Sequence, residues 1–236
     1  MNYLILLTIL ANSFAMKTVD PKIEQLANSI EWKGQAAVKL VFNGKTIYID
    51  PYKLEKSDSA DIVLITHSHY DHWSKVDVEK IVTSKTTLIA PKECLDEVLS
   101  LNVGAKIEVL PGFHQTIDGI AIEAVPAYNI VKTKFHGKEK KFVGYILNLD
   151  GVKLYHTGDT ERVPEMKNIS ADIIMLPLGQ TYTMNSVEEA VTAVKDVDAS
   201  IAIPIHFGMY EGTTADAQKF SNLLKDSIQV IIKEVK

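Results

Sequence analysis

The chain has 236 residues, 46% hydrophobic and 23% charged, enough to bury a full core as one α/β unit of ~200–250 residues. Its formal net charge of −5 argues against nucleic-acid binding, which shows a basic surplus. A single cysteine, Cys94, excludes an internal disulfide framework and any multi-cysteine metal cage.

Residues 3–10 are nearly all apolar, and Ser13-Phe14-Ala15 places small residues where signal peptidase reads them. We expect a signal peptide over 1–15 and a mature domain over 16–236, exported to the periplasm or beyond, and cytoplasmic if that segment is not cleaved. The apolar run is too short for a membrane span, which needs ~20 residues, and no later stretch qualifies.

Residues 38–42 and 45–50 read as a hairpin across Asn43-Gly44, and the second run closes at Asp50-Pro51. The run 61–66 is almost continuously apolar and predicts a strand buried on both faces. A helix is expected over 73–82, a strand over 87–90 and a helix from Pro91 to about Leu101, in which Cys94 is a buried, inert thiol. Strands follow over 106–110 and 117–125, then a long basic loop over 126–141. Residues 142–149 and 152–156 form a second hairpin across Asp150-Gly151, and 171–176 is a strand. Ser186 caps a helix to about Val194, with Glu189 completing a capping box. A strand over 199–205, a helix over 214–224 and a closing strand over 228–235 complete the chain. The stretch 60–65 is echoed by 171–176, which suggests two similar β-rich halves packed face to face.

Directly after the strand ending at Thr66 comes His67-Ser68-His69-Tyr70-Asp71-His72. In extended chain, His67 and His69 point to one side and can grip one cation, while Asp71 and His72 point elsewhere and suit a second. Imidazole with carboxylate is a ligand set for zinc, iron or manganese rather than calcium. Further candidate ligands end other strands: Asp159, aimed by Gly158, and His206.

The series His67-x-His69-x-Asp71-His72, Gly158-Asp159 and His206 resembles the metallo-β-lactamase superfamily over nearly the whole mature chain. Asp50-Pro51, residues 155–160 and Thr183-Met184 also resemble a branch of metal-dependent hydrolases similar to the ascorbate-phosphate lactonases and the N-acylphosphatidylethanolamine phospholipases D. The resemblance implies a four-layer αββα sandwich in a single domain. It further implies one metal at His67 and His69, a second at Asp71, His72 and His206, and Asp159 bridging them. The family supplies a third histidine to the first metal in a Pro-Ala-x-His context. Here Pro126-Ala127-Tyr128-Asn129 places Asn129 at that position, and His136 in the basic loop is the other candidate.

These readings predict a hydrolase with one or two divalent ions, zinc first and manganese or iron next. A metal-activated hydroxide, oriented by Asp71 or Asp159, would cleave an ester, lactone or phosphodiester bond of a small molecule. Asp50 is placed to orient a ligand histidine, and His156 to contact substrate or a ligand. His114 reads as a surface histidine without a ligand role. Lys132, Lys134, Lys138, Lys140 and Lys141 suit an anionic substrate, and equally a solvated flap. A non-catalytic binding protein, its first metal site impaired by Asn129, is the competing class.

Overall fold

A computed structural model describes residues 18–236; the expected signal and its cleavage position lie outside the described residues. Two sheets are each laid out in chain order from edge to edge. The first holds β1 (Glu31–Gly34), β2 (Ala37–Phe42), β3 (Lys45–Ile49), β4 (Ile62–Leu64), β5 (Thr87–Ala90) and β6 (Ala105–Glu108). The second holds β7 (His114–Ile117), β8 (Ile120–Pro126), β9 (Val143–Leu149), β10 (Val152–His156), β11 (Ile173–Pro177), β12 (Ile201–Ile205) and β13 (Gln229–Val230). The helices are α1 (Pro21–Ser29), α2 (Lys75–Ile81), α3 (Lys92–Asp96), α4 (Thr133–His136), α5 (Val187–Val197) and α6 (Thr214–Leu224).

The layering follows from side-chain alternation along β4. Ile62 and Leu64 enter the large core shared with Ile122, Leu147 and Leu154 of the second sheet. Val63 and Ile65 point the other way, into a separate core with Val78 and Ile81 of α2 and Cys94 of α3. Both faces of β4 are therefore buried, as its continuous apolar run requires. The second sheet is covered in turn by α5 and α6, whose Val194, Val197 and Phe220 join the large core. The result is a four-layer αββα sandwich.

The internal echo is physical. In both halves a hairpin runs into a parallel neighbour: β3 pairs with β4, and β10 with β11. Asp61 accepts the Thr46 N–H at 2.9 Å, and Asp172 accepts the Lys153 N–H at 2.8 Å. Each aspartate thus uses its side chain to lock the preceding hairpin strand at the same register.

Several elements differ from expectation. The strand expected over 117–125 is a hairpin, β7–β8, because Asp118 and Gly119 both take positive φ (50° and 81°) and turn the chain. The helix expected to reach Leu101 stops at Asp96, and the one expected over 73–82 starts at Lys75, where Ser74 caps it. The basic loop contains α4 and a 3-10 turn, Lys138–Lys140. Ser186 caps α5 by accepting the Glu189 N–H at 3.1 Å, but the Glu189 carboxylate turns back to the Asn185 N–H rather than to Ser186. The closing segment pairs only at β13 and at a Trp32–Val235 bridge. Among the described residues no helix is long and apolar enough to cross a membrane.

Candidate metal centre

The histidine packet leaves the sheet just beyond β4. The N–H groups of His72 and Trp73 both donate to the His69 carbonyl oxygen, at 2.9 and 2.7 Å, so the chain turns tightly after His69. Asp159 arrives from the end of β10 through Gly158. That glycine has φ +63°, and a Cβ there would meet the Val143 carbonyl oxygen at 2.7 Å, so only glycine fits. His206 arrives from the end of β12, and His136 from the last position of α4.

These side chains converge on Asp159. Its Oδ2 lies 3.3 Å from His136 Nε2, 3.3 Å from His206 Nε2 and 3.9 Å from His67 Nε2, while Oδ1 lies 3.3 Å from His72 Nε2. His67 Nε2 and His69 Nδ1 are 3.1 Å apart. Asp71 Oδ2 is 3.6 Å from His206 Nε2 and 3.8 Å from His72 Nε2. Three sets have ligand atoms mutually within 4.8 Å: His67, His69 and His136; His67, His72 and Asp159; and Asp71, His72 and His206.

The donor atoms fit a cation rather than one another. His136 is buried, yet neither ring nitrogen makes a hydrogen bond, and His72 Nε2 and Asp159 Oδ1 are likewise without one. Buried polar atoms left unpaired are costly, so such a concentration points to a ligand they are shaped to hold. Distal groups fix the rings. Asp50 Oδ2 lies 2.8 Å from His72 Nδ1, and the same carboxylate accepts the Thr66 N–H at 2.7 Å and the Thr66 hydroxyl at 2.6 Å. Thr66 Oγ1 lies 2.9 Å from His67 Nδ1, leaving Nε2 to face the cluster.

Burial and charge split the imidazoles into two kinds. Burial, reinforced by neighbouring histidines, pushes His69 down to about 4 and His67 well below the usual range. Burial also pulls on His72 and His206, but there the carboxylates prevail. Asp159 and Asp50 push His72 up to about 10, and Asp159, Asp71 and Glu211 raise His206 well above its ordinary value. Burial alone would raise Asp159, but the His206 and His72 charges hold it well below the usual carboxylate range.

The two candidates for the third partner of His67 and His69 are placed differently. His136 packs its ring 4.7 Å from that of His69 and 5.3 Å from that of His67. The Asn129 amide nitrogen donates to the carbonyl oxygens of Lys132 at 3.1 Å and Tyr182 at 2.6 Å, while its Oδ1 is buried without a hydrogen-bond partner. The Asn129 N–H also donates to the His136 carbonyl oxygen at 2.6 Å, so Asn129 closes the loop that carries His136. His156 is buried between the Ala36 carbonyl oxygen at 2.9 Å and the Gly158 N–H at 3.2 Å, away from the cavity lining. His114 is exposed on β7 and belongs to none of these sets.

Three supporting residues escaped sequence reasoning. Glu211 Oε1 lies 2.9 Å from His206 Nδ1. Gln35 Nε2 lies 2.8 Å from Asp71 Oδ2 and 2.7 Å from His206 Nε2. Glu161 accepts the N–H groups of Ile130, Val131 and Lys132 at 2.8 to 2.9 Å, which shapes the loop leading to α4. The available cue for Glu211 was a carboxylate between Gly208 and Gly212, soon after His206. Nothing in the sequence marks Gln35. Gln35, Asp50 and His206 all hold left-handed backbone (φ 49°, 48° and 55°), strain of the kind that persists where the surroundings over-determine a site.

A cavity of about 490 Å³ opens onto this centre, lined by His69, Asp71, His136, Asp159 and His206 with Ser68 and an aromatic wall. The lysines of the basic loop do not line it. Lys132 donates to the Gln180 and Met184 carbonyl oxygens, and Lys138 pairs with Glu165 at 2.9 Å. Lys134 and Lys140 lie over the rings of Phe135 and Phe142.

A family profile described as "Beta-lactamase superfamily domain" matches residues 29–206. A "UPF0173 metal-dependent hydrolase" of Thermococcus onnurineus is 30% identical over 220 residues, covering 86% of this chain and 95% of that one. One from Thermoplasma volcanium is 32% identical over 210 residues, covering 82% and 90%. A crystal structure from Parabacteroides distasonis, assigned to the metal-dependent hydrolases, superposes with TM-score 0.76 at 32% identity, covering 88% and 93% of the two chains. A metallo hydrolase from Ignicoccus hospitalis shares the fold, with TM-score 0.70 at 24% identity, covering 87% and 94%.

Proposed function

Because the chain belongs to the beta-lactamase superfamily domain family, as a metal-dependent hydrolase of metallo-β-lactamase fold, we propose that its centre holds two divalent cations and hydrolyses a small-molecule ester, lactone or phosphodiester. The observation that carries this reading is the convergence of four imidazoles on the Asp159 carboxylate at the floor of a cavity. In this reading His67, His69 and His136 would hold one cation and Asp71, His72 and His206 the other, with the Asp159 carboxylate facing ligands of both sets. The mixed imidazole and carboxylate set favours zinc, with manganese or iron as alternatives.

When bound, the cations supply Lewis-acid polarisation of the scissile group and an activated water at neutral pH. The protein's own groups do the rest. Asp71 and Asp159 both line the cavity, and in the metal-free protein neighbouring imidazolium charge holds both carboxyls low; as carboxylates, each can accept a hydrogen bond from the attacking water and hold it in line. Asp50 and Glu211 fix the His72 and His206 rings, so that the donor atoms need no rearrangement. In an ester, one acyl C–O bond forms to the water oxygen and one breaks. One water proton ends on the departing alcohol and the other leaves with the acid.

The test is a panel of carboxylic esters, lactones and phosphodiesters assayed with the zinc- or manganese-loaded protein. We expect turnover of at least one class, lost on chelation and restored by the metal. Turnover indifferent to chelation would contradict the proposal.

A further inference from the structure

The cavity wall beyond the centre is aromatic. Tyr70 and Tyr210 form one part, their rings meeting edge to face at 5.7 Å; Phe135 and Tyr182 form another, edge to face at 5.6 Å. These rings are 39% to 64% exposed, although burial is what such side chains gain most from. Large aromatics left open around a concave site are how proteins receive an apolar group.

Charge in the cavity points the same way. Among the described residues that line it there is no lysine or arginine, and its charged groups are the floor carboxylates and imidazoles. Two lysines touch the wall rings without lining the cavity: Lys134 Nζ lies 5.2 Å from the Phe135 ring centre, and Lys53 packs on the tyrosines. The Lys53 Nζ lies 5.2 and 5.4 Å from the Tyr52 and Tyr210 ring centres and donates to the Tyr210 hydroxyl at 3.3 Å. The Tyr52 and Tyr210 hydroxyls are 2.6 Å apart, which fixes the Tyr210 ring against that loop. A carboxylate or phosphate at the far end of a substrate would lie against phenol and phenyl faces, with no lysine or arginine among the lining residues to compensate its lost hydration.

We propose that the substrate is an uncharged carboxylic ester or lactone whose acyl portion carries an aromatic or bulky apolar group, received by Tyr70, Phe135, Tyr182 and Tyr210. This rests on the hydrolase reading above and narrows it.

The experiment compares methyl 3-phenylpropanoate with monomethyl glutarate, which differ in the charge and apolarity of the tail but share the scissile bond. With metal-loaded protein, kcat/KM should favour the phenyl ester by about tenfold or more. In Tyr182→Arg the ratio should move toward the glutarate ester. A wild-type ratio at or below one would overturn the inference while leaving hydrolysis itself intact. If neither ester is turned over, the proposed hydrolysis of esters fails. Calorimetric binding of 3-phenylpropanamide against glutaramate then decides the pocket's preference: tighter binding of the phenyl amide supports the inference, and equal or weaker binding overturns it.

Discussion

Glu211 holds His206 across 2.9 Å, Oε1 to Nδ1, while its other oxygen accepts the N–H groups of Thr181 and Tyr182 at 2.9 and 2.6 Å. One buried carboxylate therefore ties a candidate ligand to the loop that supplies Tyr182 to the cavity wall. Gly179 leaves the space this side chain fills, since a Cβ there would overlap the Glu211 carboxylate. Glu211→Gln keeps the shape but removes the charge and presents N–H to groups that are themselves donors. We expect metal affinity to fall by about 10–100-fold. The metal-free fold should lose about 1–3 kcal/mol. Chelator competition and thermal denaturation measure the two separately, and an unchanged affinity would remove Glu211 from the account.

His136 and Asn129 make opposite predictions. His136→Ala should lower the bound metal by about one equivalent and hydrolysis by at least about 100-fold, because a ligand is lost. Asn129→Ala should act on the fold, costing about 1–3 kcal/mol through the orphaned carbonyl groups of Lys132 and Tyr182, with metal bound at saturation unchanged. Asn129→His should gain neither metal nor activity. Elemental analysis of the three variants distinguishes the assignments, and extra metal in Asn129→His would reverse them.

Metal uptake should be coupled to pH more strongly through His72 and His206 than through His67 and His69. Without metal, His72 is pushed up to about 10 and His206 well above its ordinary value, so both carry a proton at neutral pH. His69, pushed down to about 4, and His67, lower than usual, are already neutral there. A cation must therefore displace protons from His72 and His206 but none from His67 and His69. Affinity at Asp71, His72 and His206 should weaken as pH falls from 8 to 6, by up to about tenfold per pH unit for each proton displaced. Calorimetry in buffers of different ionisation enthalpy should show about two protons released for that cation. Buffer-independent enthalpies would contradict this.

Much of the architecture was legible because it rests on local pattern. The unbroken apolar run around Ile62 and Leu64 could only be a strand covered on both sides, and Ser186 announced the start of α5. The convergence of the candidate ligands at strand ends was legible for the same reason, since a strand's last residue fixes where the next side chains emerge. The place of His136 was not. His136 reaches His67 and His69 because Glu161 gathers three N–H groups of the preceding loop and Asn129 bonds across it, the Glu161 contacts spanning 29 to 31 residues. The family resemblance put Asn129 at the expected position, with His136 as a replacement. Likewise α1 offered a short pattern with only Ala27 fully buried, too little to announce a helix despite its Asp20 cap.

Cys94 faces the small core behind the first sheet, fully buried, and burial pushes its thiol up. It should not react with a water-soluble disulfide reagent in the native protein, and one thiol should appear on denaturation. Rapid labelling of the native state would mean that α3 opens locally.

The account stands or falls on metal in the centre, and elemental analysis of the purified protein after reloading with zinc or manganese reads it directly. The account predicts close to two equivalents of transition metal per chain, removed by chelation together with hydrolysis and restored together. Less than about half an equivalent, unchanged by reloading, would contradict it, because the affinities expected for such donor sets are far too high to leave them empty.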